Sequence, residues 1–208
     1  MGVSAKSETL NVNRSVRLQE WGVIRILDLV LVLGASICFA IPMALIAIAI
    51  RITSGRPVLY WSLRVGRYNR TFRMPKFRTM AVGAPQVATH LLVNAPEYVT
   101  PVGRFLRKLS LDELPQLYSI WTGDMSFVGP RPALYNQNDL IELRTKAGVH
   151  RAIPGLTGWA QINGRDELTI PHKVSLDIEY VRRRSLLLNI KILALTVLRV
   201  VRGSGVSH

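Results

Sequence analysis

The chain has 208 residues, 49% apolar and 19% charged, which is room for one compact domain and an appendage. Twenty-seven Lys and Arg against thirteen Asp and Glu leave a net charge of +14, which points to polyanionic partners. A single cysteine, Cys38, excludes an intrachain disulfide framework and a cysteine-based zinc site, and four scattered histidines do not make a histidine metal centre.

The first element is the run Leu29–Ile50, 22 residues without a charge, 19 of them apolar. At ~1.5 Å per residue it reaches ~33 Å, enough for a single anchor across a ~30 Å hydrocarbon core. The long polar-to-mixed stretch ahead of it and Arg51 behind it read against a cleaved signal. Two features favour a re-entrant hairpin over a span. Pro42 removes a backbone donor and bends a helix, leaving 13 run residues before it and 8 after, neither enough to cross. Both flanks are basic, with Lys6, Arg14, Arg17 and Arg25 ahead and Arg51, Arg56, Arg64, Arg67 and Arg70 behind, and basic flanks stay in the cytoplasm. The expected organisation is an N-terminal extension over 1–19, a re-entrant helix hairpin over 20–52 broken near Pro42, and a membrane-associated catalytic domain over 53–208.

Arg56–Met80 predicts a β-hairpin turning at Tyr68-Asn69-Arg70. From Arg51 to Arg78 there are eight basic residues and no acidic one, a pattern of an anion or anionic-lipid site as well as of a solvated face. Pro101–Lys108 predicts a short amphipathic helix. Ser110-Leu111-Asp112-Glu113 then matches a capping box, which by itself accounts for Ser110 and Glu113. Asp112 falls in the first turn, where the helix dipole favours an ionised carboxylate, a competent nucleophile toward phosphorus when cations screen the incoming phosphate. Pro130 and Pro132 bracket Arg131 and stiffen its backbone, which suits a guanidinium aimed at phosphate. Pro154–Arg165 is a glycine-rich loop carrying Trp159 and Arg165, without the spacing of a P-loop or a dinucleotide fingerprint. Lys173 and Asp177, four apart on the next helix, read by default as an ion pair. Leu186–Arg202 gathers Lys191, Arg199 and Arg202 within about 80° of the wheel. That suits a helix in the headgroup layer, or a core helix with a narrow solvent stripe.

Four segments in this order, Lys76–Met80, Ser110–Gln116, Gly123–Pro132 and Pro154–Gln161, closely resemble the bacterial sugar transferases, the monotopic phosphoglycosyl transferases, over about residues 20–202. The resemblance implies an α+β fold: a small catalytic domain with a β-hairpin and interfacial amphipathic helices, attached to the re-entrant hairpin. It implies transfer of a sugar 1-phosphate from a UDP-sugar to undecaprenyl phosphate, with UMP released, Mg²⁺ as cofactor and an aspartyl phosphosugar intermediate. By position, Asp112 is the implied nucleophile and Glu113 its partner, holding Mg²⁺. Arg131, within Pro130-Arg131-Pro132, is the implied phosphate clamp, Lys76 and Asp177 lie near the active site, and Arg78 and Arg165 are candidates for the phosphate and nucleotide side. The implied setting is the cytoplasmic face of a bacterial inner membrane, with anionic lipids as further partners, no nucleic acid, and homo-oligomerisation left open. The chain departs from the family at Ile41-Pro42, where Ser-Pro is common, at Ser62 for a frequent Gln, at Pro75, and at Asn189 for a frequent Asp.

Two other readings belong beside this one. A membrane-tethered nucleic-acid binder would use the basic Arg51–Arg78 stretch but lacks a recognisable binding motif. A non-catalytic scaffold of the same fold sits poorly with an intact Asp112–Glu113 pair.

Overall fold

In the computed structural model, which describes residues 2–84, 98–164 and 168–202 and the side chains of 22–199 among them, the chain opens with one long helix, α1 (Gly2–Thr53). Its part Gly22–Thr53 is long and apolar enough to cross a bilayer, and little of its most apolar stretch is covered by protein. The helical backbone continues through Pro42 rather than stopping there.

The body of the molecule is mixed helix and sheet, as expected. Strands β1 (Leu59–Val65) and β2 (Thr71–Phe77) pair antiparallel, with Tyr60 opposite Lys76 and Arg64 opposite Phe72. They form the predicted hairpin. Its turn uses Tyr68 and Asn69 at φ 56° and 59°, a left-handed pair that lets the chain reverse tightly. Helix α2 (Pro101–Lys108) follows, its first turn capped by Thr100, whose hydroxyl accepts from the Gly103 amide at 2.9 Å. A 3₁₀ turn over Leu111–Gln116 leads into α3 (Leu117–Thr122). Next come β3 (Ser126–Val128), β4 (Ala133–Leu134), α4 (Asn138–Lys146) and β5 (Gly155–Thr157). Strand β4 extends the hairpin into a three-stranded sheet of order β2-β1-β4, and β3 pairs parallel with β5. Helices α5 (Trp159–Ile162), α6 (Ile170–Arg183) and α7 (Leu186–Arg202) complete the described chain.

Both stretches of α1 around Pro42 rest on this body. Ahead of it, Arg25 donates to the carbonyls of Ile120 and Trp121 at 2.6 and 2.8 Å, closing the C-terminal end of α3, and Asp28 accepts from the Phe127 amide. Val32 packs in a core cluster with Met74, Leu117, Ile120 and Met125. Beyond Pro42, Ile50 forms a second cluster with Phe77 and Leu106, with Met43, Ile46 and Ala47 against it. Helix α7 buries Asn189 and Ile192 against the body and leaves Leu187, Ile190 and Val197 open. At the position where the family often has Asp, Asn189 Oδ1 lies 3.0 Å from the Tyr180 hydroxyl, whose pKa burial pushes up to about 12.

Candidate active site

Four elements converge on the Asp112–Glu113 pair. Strand β2 supplies Lys76, the end of α2 supplies Arg107, the 3₁₀ turn carries the two carboxylates, and the loop between β3 and β4 supplies Arg131. Lys76 Nζ and Arg131 Nη2 both reach Glu113 Oε1 at 2.7 Å. Burial opposes charge on Glu113, but the attraction and hydrogen bonds of Arg131 and Lys76 outweigh it and hold the carboxyl well below the usual range.

Asp112, 8% exposed, has the opposite environment. Burial pushes its pKa up, the Lys76 charge pulls it down, and the neighbouring Glu113 raises it again. Arg107 and Arg131 add further attraction. Among the described residues no hydrogen bond is made to the Asp112 carboxylate; burial leaves it poorly solvated, with the charges of Lys76, Arg107 and Arg131 acting on it.

The capping box does not form. Ser110 sits at φ 55° in the left-handed region and makes no side-chain cap, and the Glu113 amide donates to the Ser110 carbonyl instead. The Glu113 side chain is committed to the two cations, a stronger interaction than a neutral amide offers. The helix-dipole expectation for Asp112 gives way as well: its turn is a short 3₁₀ segment containing Pro115, and burial dominates.

The loop bearing Arg131 is held from several sides. Gly129 N–H donates to Thr157 O at 2.8 Å, and Gly155 N–H donates to Pro130 O at 3.0 Å. The segment expected to be a glycine-rich loop is instead strand β5 and helix α5, and a Cβ on Gly155 would stand 2.0 Å from the Gly129 nitrogen, so the glycine is needed where the backbones of β5 and the Arg131 loop touch. Trp159 donates its indole N–H to Glu179 at 3.0 Å, and Arg165 lies outside the described residues. Arg64 donates to Ser62 Oγ at 2.9 Å and to Pro132 O at 3.3 Å, so Ser62 steadies a cation that steadies the loop.

Asp177 takes Arg144 rather than Lys173. Its Oδ2 accepts from Arg144 Nε and Nη2 at 2.9 and 2.6 Å, and Arg144 Nη1 donates to the Arg131 carbonyl at 2.7 Å. The pair is sealed, with Asp177 1% exposed and its pKa raised by burial against the pull of Arg144. Asp177 therefore reaches the site through Arg144 and the Arg131 backbone. Arg78 is also committed elsewhere. Its guanidinium donates to the carbonyls of Ser54, Gly55 and Arg56, tying the end of α1 to the hairpin.

Lys76, Asp112, Glu113 and Arg131 are thus brought together, with Pro130 and Pro132 framing the last. Sequence reasoning missed Arg107 and Arg144. A signal for Arg144 existed: it lies one turn after the buried Leu140 on α4, on the inward face. For Arg107 no sequence signal distinguishes it from its neighbours Arg104 and Lys108.

The arrangement can direct one carboxylate at an electrophilic phosphorus while nearby cations receive the phosphate charge. As a donor set for Mg²⁺, which binds through one or two carboxylates together with substrate phosphates, it fits: Glu113 Oε1 holds the cations, leaving Oε2 and Asp112. Among the described residues no group of three or more His, Cys, Asp or Glu gathers.

The family profile described as bacterial sugar transferase matches residues 19–203. An uncharacterized sugar transferase of Bacillus subtilis (strain 168) is 39% identical over 186 residues, 88% of this chain and 90% of that one. The UDP-glucose:undecaprenyl-phosphate glucose-1-phosphate transferase of Escherichia coli (strain K12) is 39% identical over 196 residues, 90% of this chain but 40% of that one. An exopolysaccharide production protein of Rhizobium meliloti (strain 1021) is 38% identical over 195 residues, 84% of each. The chain thus spans most of some relatives and less than half the length of others.

Proposed function

The chain belongs to the bacterial sugar transferase family, and from that premise we propose that it transfers a sugar 1-phosphate from a UDP-sugar to undecaprenyl phosphate and releases UMP. The observation that carries this is the division of labour in the pair: Glu113 is held ionised by Lys76 and Arg131, while Asp112 beside it is buried, accepts no hydrogen bond from the described residues and lies among cations. An Asp112 oxygen attacks the sugar-bearing phosphorus, the bridging oxygen departs with UMP, and an aspartyl phosphosugar remains. A phosphate oxygen of the acceptor then attacks the same phosphorus and frees Asp112. Lys76, Arg107 and Arg131 receive the charge of the phosphates in both halves, and poor solvation keeps Asp112 reactive. Glu113 would hold Mg²⁺, which when bound would supply further neutralisation of the pyrophosphate.

In this reading α1 enters and leaves the cytoplasmic leaflet of a bacterial inner membrane. The seating of both its arms on one body supports that. A straight helix would separate Val32 from Ile50 by about 27 Å. Met74 and Phe77, which share their clusters, are three strand residues apart, about 10 Å. Ile37 and Ile41 between the arms are open, as an apex in lipid requires. The open apolar residues Leu187, Ile190 and Val197 suit α7 to the same interface. The step is then the first membrane-bound one in building an exopolysaccharide or glycoconjugate.

The test is UMP release by the detergent-solubilised full chain given undecaprenyl phosphate, Mg²⁺ and a panel of UDP-sugars. At least one donor is expected to give acceptor-dependent UMP. Folded protein that releases none from any donor contradicts the proposal.

A further inference from the structure

Where α1 meets the hairpin, Ala47, Ile48, Arg51, Ile52, Arg56, Pro57 and Val58 line an open groove of about 510 Å³. Its two cations, Arg51 and Arg56, are exposed, and no acidic residue occurs between positions 51 and 78. The apolar wall continues along the helix. Ile41, Leu45, Ile48 and Ile52 are 73%, 62%, 55% and 78% exposed and fall within about 60° of the helical wheel, one stripe ending at the groove.

A helix C-terminus repels anions, but the three carbonyls that follow the end of α1, those of Ser54, Gly55 and Arg56, accept from the Arg78 guanidinium, which sets a positive charge beside that end. That clamp, with Gly55 at φ 74° turning the chain, holds the backbone at Arg56, which lines the same groove as Arg51, and among the described residues neither guanidinium has an acidic partner. We propose that this groove binds one anionic phospholipid, its phosphate between Arg51 and Arg56 and its acyl chain along Ile52, Ile48, Leu45 and Ile41. The inference rests on the membrane placement of α1, not on the transferase chemistry. The occupant is a structural lipid rather than the acceptor, because the cations that act on Asp112 are Lys76, Arg107 and Arg131, and neither Arg51 nor Arg56 is among them.

The test is native mass spectrometry of the full chain in detergent with phosphatidylglycerol, phosphatidylcholine or undecaprenyl phosphate added. Flotation with phosphatidylcholine vesicles serves as a separate readout of membrane insertion. Wild type is expected to retain one phosphatidylglycerol in preference to phosphatidylcholine. The preference should fall about fivefold for each arginine removed in Arg51→Gln and Arg56→Gln. The Arg51→Lys/Arg56→Lys variant should keep most of it, and Arg182→Gln on α6 all of it. Failure to float would overturn the membrane placement. Normal flotation with an undiminished preference in the double glutamine variant overturns the lipid site alone. Loss of undecaprenyl phosphate binding in that variant, with phosphatidylglycerol unaffected, would instead make the groove the acceptor's.

Discussion

Glu113 and Asp177 are both carboxylates bound by arginine at 2.6–2.7 Å, and their surroundings differ. Glu113, 13% exposed, shares one oxygen between Lys76 and Arg131, which approach from a strand and a loop. Asp177 is sealed beneath the surface and gives one oxygen to two nitrogens of Arg144, whose third nitrogen grips the Arg131 backbone. The first cluster can exchange partners, since an arriving phosphate can take Arg131 and Lys76 from Glu113. The second cannot, because separating it would strand a buried charge. Under the proposed mechanism the first is machinery and the second its mount.

Substitutions can break that contrast. The largest effect is expected from Glu113→Gln, which should lower turnover by about 10³-fold with little change in thermal stability, measured by UMP release and melting in detergent. Asp177→Ala should act the other way, costing about 3–5 kcal/mol of stability because Arg144 is left buried and unpaired. If Asp177→Ala melts like wild type yet loses turnover, Asp177 is not a mount. Arg131→Lys keeps the charge but loses the planar fork, and a rate loss of about 10- to 100-fold is expected.

The smallest effect is in the pH profile. Glu113 is held ionised, so under the proposed mechanism the acid limb of kcat/KM belongs to Asp112, which attacks as its carboxylate. Burial raises its pKa, so activity should fall on acidification at a pH above the 3.8 of an ordinary aspartate. Arg107→Gln removes an attraction that lowers this pKa and should move the limb to higher pH. An unmoved limb would show that Arg107 does not sense the nucleophile.

The contrast also marks how far the sequence can be read. The hairpin, α2 and the approach of Lys76, Arg131 and the carboxylate pair were legible, because β-rich and amphipathic patterns, turn residues and ordered motifs are local or shared with relatives. The partners of Asp177 and Arg78 were not. Lys173 was the nearest cation along the chain, but Arg144 comes from a helix 33 residues away, packed against α6. Arg78 stands in a run of basic residues, and only the fold reveals that it closes the end of α1. Ser110 and Glu113 had the pattern of a cap, and the stronger pull of two cations overrode it.

The central claim is that Asp112 carries the sugar phosphate. Intact-protein mass spectrometry of the chain incubated with its UDP-sugar and Mg²⁺, without acceptor, tests it most directly. The account predicts a single adduct of one sugar phosphate, accompanied by one UMP per chain, discharged on adding undecaprenyl phosphate and absent in Asp112→Asn. An adduct that persists in Asp112→Asn, or turnover by wild type with no adduct and no UMP burst, would contradict it.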